Sequence, residues 1–105
     1  MLTEEHKKKL ESIARFYGEE NQLMILAEEC SELAQASLKA IRDCYDFGSK
    51  LRIIGEMADV RVMMAQIQFL LNIQDTEVEQ VMEEKINRQL ERIGTERTRK
   101  EDRNE

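Results

Sequence analysis

Apolar residues recur along this chain with a helical period, and one stretch departs from a simple amphipathic pattern. From Leu51 to Leu71, LRIIGEMADVRVMMAQIQFLL, almost every position is apolar, yet Glu56, Asp59 and Arg61 stand in its middle. A helix apolar on nearly all sides belongs in a packed interior. An isolated carboxylate there costs several kcal/mol or protonates, so something must compensate for it. Upstream, Leu23, Leu26, Ala27, Cys30, Leu33, Ala34, Ser37 and Ile41 recur at i, i+3, i+4, i+7 spacing and predict a second long helix, from Glu19 or Glu20 to Arg42. At about 100° per residue Glu29 lies beside Leu33 at the border of that stripe, with Glu32 and Glu28 progressively further round. Glu29 is therefore placed to look inward.

The remaining pattern completes an all-α chain of four helices. Residues from about Thr3 to Phe16 predict a first helix, with Thr3 as cap, Glu4 and Glu5 in its first turn, and Leu10, Ile13 and Ala14 as its apolar face. Tyr17 and Gly18 break it. The connection from Asp43 to Ser49 has Gly48 as breaker and Ser49 as the expected cap of helix three, and is long enough for helices two and three to turn back antiparallel. The segment from Asn72 to Thr76 ends helix three. Thr76 with Glu79 makes a capping-box pattern ahead of a fourth helix to about Ile93, where Gly94 fits a C-terminal stop. From Thr95 onward no apolar residue is available for burial, so a frayed or disordered tail is expected. The expected organisation is one helical domain over 1–94 and a charged tail over 95–105, without internal repeats.

Composition narrows the picture. The chain has 105 residues, enough for one domain with a modest core. With 36% charged residues, 5% aromatics, no Trp and no Pro, it suits amphipathic helices and gives no support to a sheet. A net charge of −6 argues against a grip on nucleic acid, which needs a concentrated basic surface. Cys30 and Cys44, about 20 Å apart along a continuous helix, cannot bridge within it. Free thiols point to the cytoplasm, and Cys30 is expected to be a small buried filler. No run is long and uncharged enough to span a bilayer, and the N-terminal MLTEEHKKKL lacks the apolar core of a signal peptide. Helix three is too apolar for one small subunit to cover, so a homodimer or homotetramer is expected.

The acids carry the candidate chemistry. Glu29 with Glu32 and Glu56 with Asp59 form i, i+3 pairs on two helices, an oxygen-only donor set of the kind that hard cations such as Mg²⁺ or Mn²⁺ prefer. The only histidine, His6, lies on the first helix, and the Glu-x-x-His motif of di-iron bundles is absent, which disfavours iron oxidation chemistry. A carboxylate-held Mg²⁺ commonly takes further ligands from substrate phosphates, pointing to phosphate ester or anhydride chemistry.

Here the chain resembles the MazG-type all-α nucleoside triphosphate pyrophosphohydrolases, related to the dimeric dUTPases. Their Glu-Glu-x-x-Glu, spacer, Glu-x-x-Asp signature is matched by Glu28-Glu29-Cys30-Ser31-Glu32 and Glu56-Met57-Ala58-Asp59, and the resemblance runs from about Phe16 to Ile93. It implies Mg²⁺-dependent hydrolysis of nucleoside triphosphates to monophosphate and pyrophosphate. Glu29, Glu32, Glu56 and Asp59 would be the metal ligands, with Glu28 a helper that reaches an additional metal or orients the attacking water. Gln22 would lie near the nucleotide, and Lys85, Asn87 and Arg88 would contact phosphates. Read without the resemblance, Glu28, Glu29 and Glu32 also fit a solvated helix face, Glu56 an ion pair with Arg52, and Asp59 a polar partner elsewhere. The protein would then be a non-enzymatic helical interaction or regulatory oligomer.

Overall fold

A computed structural model describes residues 2–104; Met1 and Glu105, at the outer ends of the expected domain and tail, lie outside the described residues. The described chain is all-helical: α1 (Glu4–Tyr17), α2 (Glu19–Arg42), α3 (Phe47–Leu70) and α4 (Asp75–Arg103). It divides into two compact units, the first ending at Ile73 and the second beginning at Gln74. Among the described residues no helix is long and apolar enough to cross a membrane.

In the first unit α2 packs along α3, and α1 lies mainly against α3. Two contacts give the sense of the α2/α3 pair. Gln22 meets Gln66 near one end, and Glu32 meets Glu56 ten residues later on α2 and ten earlier on α3. Advancing on one helix while retreating on the other is antiparallel packing, closed by the short turn after Arg42. The buried apolar set is small: Ala14, Ala36, Ala40, Val60, Met63 and Ile67. Buried Gln22, Ser49 and Gln66 complete the interior. On α2 the alanines at 36 and 40 present almost no side chain and allow a close approach of the two backbones.

The helix ends show where local chemistry outweighs the simplest reading. α1 starts as expected at Thr3, whose Oγ1 accepts from the His6 N–H at 3.2 Å. The reciprocal bond of the capping box goes to a histidine, with Thr3 N–H donating to His6 Nδ1 at 3.1 Å. Gly18 separates α1 from α2 at φ 85, a left-handed conformation that favours glycine, and its N–H closes α1 on the Ala14 carbonyl. Helix α3 is capped by Asp46 and not by Ser49, because a carboxylate three residues earlier accepts the Ser49 N–H at 2.7 Å. Gly48 is thereby the second residue of α3 and breaks nothing. The cap of α4 is Gln74, whose N–H donates to Glu77 Oε2 at 2.7 Å, two residues before the expected Thr76 and Glu79 pair.

α4 does not stop at Gly94, and the expected frayed tail is helical through Arg103. One interior glycine costs a helix only about 1 kcal/mol. Beyond it Thr95 and Thr98 hydroxyls donate back to the Glu91 and Gly94 carbonyls, Glu96 precedes Lys100 by four, and Lys100 and Arg103 suit the negative helix end. A helix needs no burial to keep these local terms.

Its contact with Ser49, whose N–H donates to the carboxylate at 2.7 Å, holds the Asp46 carboxyl below the usual aspartate range. Because the folded-state value is lowered, this cap stabilises the fold above the unfolded-state value and loses its effect as pH falls through the folded one. Asp46→Ala should therefore lower the melting temperature by several degrees at neutral pH. The gap from the parent chain should close in strong acid, as read by thermal melts monitored by circular dichroism.

Candidate metal centre

The antiparallel register places the acids. Starting from the Gln22–Gln66 contact, seven residues along α2 and seven back along α3 bring Glu29 level with Asp59, and ten bring Glu32 level with Glu56. Seven residues are about two helical turns, so each acid returns to the face that carries the glutamine. On α3, Glu56 falls on the same side as buried Ser49, Val60, Met63 and Ile67; on α2, Glu29 falls on the side of buried Gln22, Ala36 and Ala40. Both carboxylates are thus carried into the α2/α3 seam by the pattern that builds the core.

Glu29, Glu32 and Glu56 each offer one carboxylate oxygen, and these oxygens lie within 4.8 Å of one another. Glu29 and Glu56 are half-buried and Glu32 is exposed. The Oε2 atoms of Glu29 and Glu56 are sequestered from solvent and have no hydrogen-bond partner. Among the described residues, no Lys or Arg forms an ion pair with these acids; ion pairs are found elsewhere, at Glu4–Lys7, Glu5–Lys9 and Asp43–Arg42. The alternative of Glu56 paired with Arg52 is therefore not the arrangement found.

The electrostatic consequence is a raised affinity for protons. Burial pushes the Glu29 carboxyl up, and the charges of Glu32 and Asp59, a hydrogen bond with Glu32 and the charge of Glu56 add to it. Burial likewise raises Glu56, followed by the charges of Glu32 and Asp59 and a hydrogen bond with Glu32. Like charges converging on a partly dry seam favour either protons or a cation between them. An all-oxygen set of this kind suits a hard divalent cation held partly by protein and partly by water or ligand oxygens.

The other expected site residues are distributed differently. Asp59 is exposed and stands outside the group of three, although its charge acts on both Glu29 and Glu56. Glu28, about 100° round α2 from Glu29, is exposed. Gln22 is buried, its Nε2 donating to Gln66 Oε1 at 2.6 Å and its Oε1 accepting from Asn21 at 2.9 Å. Lys85, Asn87 and Arg88 are exposed on α4 in the second unit. Lys85 and Arg88, three apart, share a face, whereas Asn87 points about 160° away from Lys85. Cys30 is not a buried filler: it and Cys44 are both free and exposed. Cys30 lies about 100° round α2 from Glu29 and so turns out of the seam.

Gln66 was not singled out from the sequence. The available signal is its spacing: it is a polar residue in an apolar run, seven after Asp59 and therefore on the same face. Comparison with protein-family models, with curated proteins and with solved structures finds no match to this chain.

A raised folded-state carboxyl binds more protons in the native than in the unfolded chain. Its contribution is fully present below the ordinary glutamate range and is lost as pH rises through the raised value. In chelator-treated protein, Glu56→Gln should therefore raise the melting temperature at neutral pH and give no gain in acid. Adding Mn²⁺ or Mg²⁺ should raise the midpoint of the parent chain and leave the variant nearly unmoved, as ligand binding to the folded state requires.

Proposed function

We propose that this protein is a Mg²⁺-dependent nucleoside triphosphate pyrophosphohydrolase of the MazG-like kind, hydrolysing (d)NTP to (d)NMP and pyrophosphate and so clearing unwanted nucleotides from the pool. The observation that carries the reading is the convergence of Glu29, Glu32 and Glu56 oxygens within 4.8 Å, with one oxygen each of Glu29 and Glu56 sequestered and unpartnered. The two signature segments supply all three residues, and a helical seam is where such a signature needs them. Helices built with a carboxylate on the packed face must compensate for it, and a divalent cation does so without a second buried side chain.

Glu29, Glu32 and Glu56 would hold the ion, with exposed Asp59 beside them on the solvent side. When bound, Mg²⁺ offsets triphosphate charge and lowers the pKa of a coordinated water. In the reaction the water oxygen bonds to the α-phosphorus, the bond from that phosphorus to the bridging oxygen breaks, and pyrophosphate departs. The water proton passes to a carboxylate or to solvent. Glu29 and Glu56, half-buried at the seam, would hold their donor oxygens in place, as electrostatic catalysis requires of its donors. The protein works in this reading as an oligomer in the cytoplasm.

The deciding experiment is product analysis on a panel of ribo- and deoxyribonucleoside triphosphates with Mg²⁺. Monophosphate and pyrophosphate should appear in equal amounts, and Glu56→Ala should reduce turnover by about a hundredfold or more while remaining folded. Absence of turnover across the panel, or turnover unchanged in Glu56→Ala, would overturn the reading.

A further inference from the structure

α1 packs against α3 without closing on it throughout. His6, Lys9, Leu10 and Ile13 share one side of α1, since steps of three and four return to the same face. Of the expected apolar face of this helix only Ala14 is fully buried; Leu10 is half-buried and Ile13 is 43% accessible. Together with Ala58, Arg61 and Val62 of α3 these residues surround a cavity of about 560 Å³. Small-molecule sites typically measure ~300–1,000 Å³. The short side chain of Ala58 keeps part of that space open. The whole lining belongs to the first unit.

The lining divides by chemistry. Leu10, Ile13, Ala58 and Val62 offer aliphatic surface, and His6, Lys9 and Arg61 offer nitrogen donors; among the described residues no Asp or Glu lines the cavity, although the chain carries a net charge of −6. Arg61, the cation in the middle of the apolar run of α3, is exposed and forms no ion pair among the described residues. Lys9 meets Glu5 at 3.5 Å on exposed surface, a pairing that holds a side chain only weakly. His6 Nδ1 accepts from the Thr3 N–H, so the neutral ring carries its proton on Nε2 and that atom is a donor. Cationic donors beside an aliphatic wall match a ligand with one anionic head and an apolar body. We propose that the α1/α3 cavity binds a small amphiphilic monocarboxylate, a medium-chain acyl anion, with its head on Arg61 and Lys9 and its chain along Leu10, Ile13, Ala58 and Val62. A guanidinium suits the head because it can grip a carboxylate through two parallel hydrogen bonds. The aliphatic wall offers nothing to the hydroxyls of a sugar, which sets this ligand apart from a nucleotide. The site is independent of the catalytic reading, because Ala58, Arg61 and Val62 lie about 120–160° round α3 from Glu56.

Calorimetric titration of the full chain with sodium decanoate, kept below its micelle range and with chelator present, should show one saturable site per chain. Decylamine, with the same chain and the opposite charge, should not bind. Arg61→Ala should weaken decanoate binding about tenfold or more, because charge-assisted bonds to the carboxylate are lost. Ala58→Phe should abolish it by filling the cavity. Circular dichroism should report unchanged helix content in both variants, since both positions are exposed. In the parent chain, with no substitution, decanoate should shift the backbone amide resonances of residues 9–13 and 58–62 more than those of α2. No binding to the parent, equal binding of decylamine, unchanged affinity in either folded variant, or resonance shifts centred elsewhere would each overturn the proposal. A second copy seated over the cavity would give the first of these results.

Discussion

Carboxylates in the seam between α2 and α3 constrain everything around them. An isolated ionised carboxylate out of water is among the most costly groups a fold can carry, and here two half-buried ones converge with a third. No Lys or Arg is paired with them among the described residues. The fold therefore stores a local electrostatic penalty that protonation relieves in acid and that a bound cation would relieve at neutral pH. This arrangement is poor as structural reinforcement, since like charges held together oppose the fold that gathers them.

The seam is set by a second polar feature, the buried Gln22–Gln66 bond. A hydrogen-bonded amide pair among apolar neighbours is costly to break, because both amides would stay buried without partners. Sliding α3 by one turn would have that cost and would also separate Glu32 from Glu56. Register and site geometry are thus coupled by position: the glutamines lie at one end, the small residues Ala36, Ala40 and Ser49 at the other, and the acids between. Specifying register is the best-attested use of an isolated buried polar pair.

Much of the helical layout was legible in the sequence because it rests on local terms. The period of the apolar positions gives α1, α2 and α3 within a few residues, and Gly18 marks the one left-handed glycine. Glu29 faces the seam because 100° steps put it there. The caps at Asp46 and Gln74 were misread because several residues competed for each role, and three-dimensional hydrogen bonding chose among them. The helix beyond Gly94 leaves no mark in the apolar pattern, because it has nothing to bury and rests on charged helix formers that keep their own order. The partner of Gln22 was invisible for a different reason: no local pattern records which polar residue forty-four positions away will meet it. Cys30 was misplaced by the breadth of the α2 apolar stripe, which spans two faces, one for α3 and one turned outward.

That double-faced stripe leaves much of the apolar surface of α2 outside the core, which bears on stability. Among the described residues six apolar side chains are buried, a small core that leaves little surplus over the entropy lost on folding. The same core also carries an electrostatic penalty at Glu29 and Glu56. A fold in this position gains from anything that binds only its native form. A cation on the inner face of α2 would cancel that repulsion and so add to the stability of the folded chain.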